Sequence, residues 1–62
     1  MTLVVGIYNN FKWEADAFKF CELEYKDVES FEIIDDMLYI KCNDGYVFKI
    51  YDSIAEVISV LH

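Results

Sequence analysis

Phe31-Glu32-Ile33-Ile34-Asp35-Asp36-Met37-Leu38-Tyr39-Ile40-Lys41-Cys42-Asn43-Asp44-Gly45-Tyr46-Val47-Phe48-Lys49-Ile50-Tyr51 is the stretch that decides the fold class. Three runs rich in β-branched and aromatic residues, 31–34, 37–42 and 46–51, are separated by short polar breaks, the pattern of an antiparallel meander. Asp35-Asp36 reads as a two-residue turn. Asn43-Asp44-Gly45 reads as another, because Gly accepts a positive φ and Asn or Asp tolerates one.

On the C-terminal side, Ser53-Ile54-Ala55-Glu56 fits a capping box, with Asp52 just outside where negative charge suits a positive helix end. Ile54, Val57, Ile58 and Leu61 recur at helical spacing, so the tail is expected to be a short helix. Only Glu56 and Ser59 are polar between Ile54 and Leu61. That stripe is wider than one thin sheet covers, and it predicts a homo-oligomer that pairs through Val57, Val60 and Leu61. The competing expectation is that residues 1–11 fold over the helix within one copy.

On the N-terminal side, residues 2–8 read as a strand and Asn9-Asn10 as a turn. Residues 12–26 are ambiguous. As a strand, Trp13, Ala15 and Ala17 alternate with Glu14 and Asp16, and Cys21, Leu23 and Tyr25 alternate with Glu22 and Glu24. The phase change between them is what a β-bulge near residues 17–21 would produce. A helix over 11–20 would instead place Phe11, Ala15 and Phe18 on one side. The strict flanking alternation favours strand, and Asp27–Ser30 is the loop that follows. The predicted fold is α+β: an antiparallel sheet of four or five strands covered by one short C-terminal helix.

At 62 residues the chain is one domain, 1–62, with a thin core. Hydrophobic residues make up 56%, with five Phe, five Tyr and one Trp, more than such a core absorbs. The net charge is −7, and residues 14–36 carry all of it, nine acids against two lysines. With five Lys+Arg in total and no Arg, direct contact with nucleic acid or anionic lipid is disfavoured, since phosphate contacts need cations. Residues 2–8 are too short for a signal peptide's apolar region, and no basic residue precedes them. No apolar run approaches the roughly 20 residues of a membrane helix. The expected location is cytoplasmic, with Cys21 and Cys42 reduced. Missing Arg beside many Ile, Tyr, Phe and Asn is a compositional association with AT-rich bacterial or phage genomes.

No cofactor or metal is expected. Cys21, Cys42 and the terminal His62 fall short of the four ligands of a zinc site, so buried structural thiols are the better reading. Asp35-Asp36 and Asn43-Asp44 lack the ligand register of a calcium loop. The only His is the last residue, and neither Ser nor Cys sits in a nucleophile motif. Paired carboxylates can do acid–base work without a motif, but a chain this small has little room for a substrate pocket. The chain is therefore read as non-enzymatic.

The acidic stretch has functional reach. Glu14, Asp16, Glu22, Glu24, Asp27, Glu29 and Glu32, beside Trp13, Tyr25 and Phe31, form a candidate surface for a protein partner with a basic groove. Alternate carboxylates on a strand share a face about 6.6–6.8 Å apart and can take the place of phosphates. In size, acidity and lack of catalytic residues the chain is similar to small phage-encoded inhibitors of host defence, such as anti-CRISPR proteins. That resemblance involves no motif and assigns no residue. It implies an inhibitor of a nucleic-acid-processing enzyme inside a bacterial host cell. The alternative is a small homo-oligomeric accessory or regulatory protein whose charge only confers solubility.

Overall fold

The computed structural model describes residues 1–62, and it contains six strands, a single turn of 3-10 helix and no α-helix. The strands are β1 (Thr2–Tyr8), β2 (Lys19–Tyr25), β3 (Val28–Ile34), β4 (Met37–Cys42), β5 (Val47–Tyr51) and β6 (Ala55–Leu61). They form two three-stranded antiparallel sheets, ordered β2-β1-β6 and β3-β4-β5. The molecule is only 13 Å across its thinnest axis, the depth of two stacked sheets.

The meander over β3, β4 and β5 follows the sequence pattern except at its start: Val28–Ser30, expected as loop, already belong to β3, because Val28 and Ser30 pair with Cys42 and Lys41 of β4. Asp35 and Asp36 both adopt positive φ, 49° and 65°, as a type I′ hairpin turn requires. Gly45 has φ 90° in the second turn, where the Tyr46 amide donates to Asp44 Oδ1 at 2.9 Å. The chain passes from one sheet to the other at Lys26-Asp27. Asp27 takes φ 57°, and Val28 then exchanges two hydrogen bonds with Met1, at 2.8 and 2.9 Å, while also pairing with Cys42. That corner holds the two sheets face to face.

The expected C-terminal helix is absent, so the fold is all-β and not α+β. Ser53 makes no capping bond; Asp52–Ile54 form the 3-10 turn, and the chain continues as β6, paired with the free side of β1. Two physical causes combine. Ile54, Val57, Ile58 and Val60 are β-branched and prefer strand. An isolated helix of nine residues is unstable, whereas β1 offers a full ladder of backbone partners. The helical spacing arises from a β-bulge. Val4 pairs with Ser59 and Val5 with Val57, which leaves Ile58 as the extra residue and shifts the phase. Ala55, Val57 and Val60 thereby all face inward, spaced by two and then three.

The core is small. Leu3, Val5, Val28, Leu38, Ile40, Cys42 and Ala55 are its buried side chains, with Ile7, Tyr25, Phe31, Ile50, Val57 and Val60 among those packed around it. Ile58 lies over Gly6, where an added Cβ would sit 2.8 Å from Ile58 Cδ1. A glycine lets that side chain close down on the sheet.

Residues 9–18 form a turn-rich loop, so only 19–25 of the ambiguous 12–26 stretch is strand. A bulge at Phe20, opposite Ile7 and Tyr8, accounts for the phase change there. Asn9 closes the loop at its base: its Oδ1 accepts from the Phe18 amide at 2.7 Å, and its own amide donates to the Phe18 carbonyl at 3.1 Å. Lys12 pins the tip to the 3-10 turn. Its amide donates to the Ser53 carbonyl at 2.8 Å, and its Nζ donates to Asp52 Oδ1 at 3.2 Å and the Ala55 carbonyl at 3.1 Å. The pair is about three-quarters shielded from solvent. Lys12→Met should therefore lower unfolding free energy by about 1–2 kcal/mol, read from a urea titration, because charged hydrogen bonds are lost at a shielded site. A change under a few tenths of a kcal/mol would mean that the loop is not anchored there.

Candidate functional site

The predicted acidic residues divide among separate surfaces. Glu14 and Asp16 lie in the 9–18 loop. Glu22 and Glu24 project from β2 on the outer face of the first sheet, level with Gly6 and Val4 of β1. Glu56 lies level with Gly6 from the other side, on β6. It therefore joins Glu22 and Glu24 among the carboxylates of that face, although its residue pattern suggests a helix cap. The signal that could have found it is its strand register, hidden by the capping-box pattern. Asp27 occupies the corner between β2 and β3. Glu29 is the bulged residue of β3, and Glu32 lies on the outer face of the second sheet, across the sandwich from Glu22 and Glu24.

Local pairing tempers some of these charges. Lys19 Nζ bonds Glu22 Oε1, which raises the lysine pKa through that hydrogen bond and the carboxylate charge. Tyr8 Oη donates to Glu56 Oε2 at 2.6 Å, and this bond raises the phenol pKa. Lys41 approaches Glu29 at 3.8 Å. Glu14, Asp16, Glu24, Asp27 and Glu32 make no ion pair.

Aromatic exposure is concentrated next to Glu14 and Asp16. Phe11 and Trp13 stack with ring centroids 5.6 Å apart and planes within 4°. Both are exposed, Trp13 to 66%, and Phe18 and Phe20 are exposed to 61% and 70% where the loop rejoins β2. Four large rings and two carboxylates are thus exposed on this loop and its exit. The loop's turns hold Trp13 outward: the Glu14 amide donates to the Phe11 carbonyl at 2.9 Å and the Ala17 amide to the Glu14 carbonyl at 3.1 Å.

The residues expected to mediate self-association lie elsewhere than on a helix. Val57 and Val60 face the interior and pack against the core, level with Val5 and Leu3. Leu61 faces outward and is 54% exposed. Cys42 is buried and Cys21 half-buried, both as free thiols. No three His, Cys, Asp or Glu side chains converge as metal ligands. No helix is long and apolar enough to cross a membrane.

The chain matches no family model, no curated protein and no solved structure. Its functional reading therefore rests on its own surface.

Proposed function

We propose that this chain is a non-enzymatic protein-binding inhibitor that docks on the basic surface of a nucleic-acid-processing enzyme in a bacterial cell. The observation that carries the reading is the loop of residues 9–18. It holds Phe11 and Trp13 stacked and exposed beside unpaired Glu14 and Asp16, with Phe18 and Phe20 at its exit. Aromatic anchors supply contact energy at an interface, and surrounding charge supplies steering and specificity. A basic groove shaped for phosphates complements those carboxylates, as it would in anti-CRISPR-type inhibitors.

The test uses capture of a bacterial nuclease at low salt, followed by assay of that nuclease's binding to its nucleic acid. The chain should compete with nucleic acid and lose affinity as salt rises. Trp13→Ala should weaken binding roughly tenfold or more, in line with about 2 kcal/mol for an interface hot spot. Glu14→Lys with Asp16→Lys should slow association, with folding intact because exposed charges contribute little to stability. Competition unaffected by all three changes would refute the reading.

A second reading, a homo-oligomeric accessory protein, draws on the outer face of β3-β4-β5. Ile34, Val47 and Tyr51 are exposed there. Glu32, Tyr39 and Lys49 form one row across the three strands, with Lys49 Nζ 5.9 Å from the Tyr39 ring centre. A two-fold-related copy could set Glu32 of one against Lys49 of the other. Sedimentation decides it: a concentration-dependent mass that Tyr51→Glu returns to 7.3 kDa supports this reading, and 7.3 kDa throughout rejects it.

A further inference from the structure

β2 and β5 are edge strands of different sheets and share no hydrogen-bonded pairing. Three aromatic rings meet where they approach each other. Tyr25 of β2 meets Phe48 of β5 with centroids 4.8 Å apart and planes tilted by 58°. Phe48 meets Tyr46 at 4.7 Å and 53°. Successive rings turn relative to one another, and all three line an open cleft of about 830 Å³. That volume is within the range of small-ligand sites, so the expectation that so small a chain has little room for a pocket does not hold. Burial of Tyr25 raises its phenol pKa above the ordinary tyrosine value.

The cleft's charge is one-sided. Asp27 and Asp44 line it, with Glu24 at its rim where β2 turns that side chain to the outer face, against Lys26 alone. Ring faces carry negative potential, so rings and carboxylates together attract a cation. The kind of cation follows from hydration. A primary ammonium is tightly hydrated and loses much on leaving water, whereas a guanidinium or an alkylated ammonium loses less and can lie flat on a ring. The frame is held by backbone geometry: Asp27 in the left-handed region, Gly45 at φ 90°, and the bond from the Tyr46 amide to Asp44.

We propose that this cleft binds a weakly hydrated organic cation carried on a peptide, either an arginine guanidinium or an N-methylated lysine ammonium. Its residues are distinct from those of the aromatic loop, so the two proposals stand or fall separately.

The test is an NMR titration of the full chain with three capped amino acids: arginine, trimethyl-lysine and unmodified lysine. Arginine or trimethyl-lysine should bind with a dissociation constant on the order of millimolar, the range expected for so small a ligand. Shift changes should centre on residues 24–27 and 43–48. Unmodified lysine should bind at least about threefold more weakly. Whichever of the first two binds tighter identifies the source of the cation.

Tyr46→Ala should weaken binding about three- to tenfold, as expected for loss of one ring from a partly exposed cation site. Tyr46 is 60% exposed, so the fold should survive. Asp27→Asn with Asp44→Asn should weaken it similarly. Asn tolerates positive φ and still accepts the Tyr46 amide, so an unchanged spectrum of the free variant verifies the fold. The proposal is overturned by equal binding of all three ligands, by shifts centred elsewhere, by no saturable shift, or by variants that bind as tightly as the parent chain.

Discussion

Ile40→Ala is expected to cost about 2–5 kcal/mol of stability, the range for truncating a large buried aliphatic side chain. Ile40 is completely buried in the central strand of its sheet, level with Phe31 on β3 and Phe48 on β5. It belongs to a core of only seven buried side chains. A chain of 62 residues has roughly 3–9 kcal/mol in all, at about 0.05–0.15 kcal/mol per residue. One truncation should therefore remove from about a fifth to all of it, and the variant's unfolding midpoint should fall well below that of the parent chain. Urea denaturation followed by Trp13 fluorescence and far-ultraviolet circular dichroism measures the loss. Lys41→Ala, the next residue on the outward face, is the control and should stay within about 0.5 kcal/mol. A cost below about 1 kcal/mol for Ile40→Ala would contradict the face-to-face packing of the sheets.

The second large effect separates strand from helix at the C-terminus. Val60→Glu should destabilise the fold by about 3 kcal/mol or more, because it places a carboxylate on the inner face of β6 opposite Leu3. Leu61→Glu should be nearly neutral, since Leu61 points outward and is 54% exposed. A helix packed by Ile54, Ile58 and Leu61 would reverse the order, making Leu61→Glu the costly change. Denaturation midpoints of the two variants, measured side by side, decide it. Val60→Glu thus tests folding; a change in oligomeric mass alone, with stability intact, would argue against the inward orientation.

Several elements were legible because local chemistry and tertiary structure agree. The strand over residues 2–8, the Asp35-Asp36 turn and the hairpin around Gly45 all occur as the residue types indicate. In each, β-branched runs stop at residues that tolerate positive φ, and nothing distant has to intervene. The bulge expected between residues 17 and 21 sits at Phe20. The strand assignment for 12–18 did not hold, because Asn9 and Lys12 draw the segment into a loop through partners up to 43 residues away.

Composition and order along the chain were sufficient to determine the antiparallel meander, the thin core and the concentration of negative charge between residues 14 and 36. Tertiary structure alone decided the rest. The apolar spacing of residues 54–61 suits a helix and a bulged strand equally, and the unfilled side of β1 selects the strand by offering it hydrogen bonds. Glu22 and Glu32 are ten residues apart on one acidic stretch, but the corner at Lys26-Asp27 sends them to opposite faces. The same corner brings Tyr25 against Phe48, 23 residues further on, to build a cleft that no local pattern announces. Pairing and corner are long-range events, set by which backbone groups remain to be satisfied once the local strands have formed.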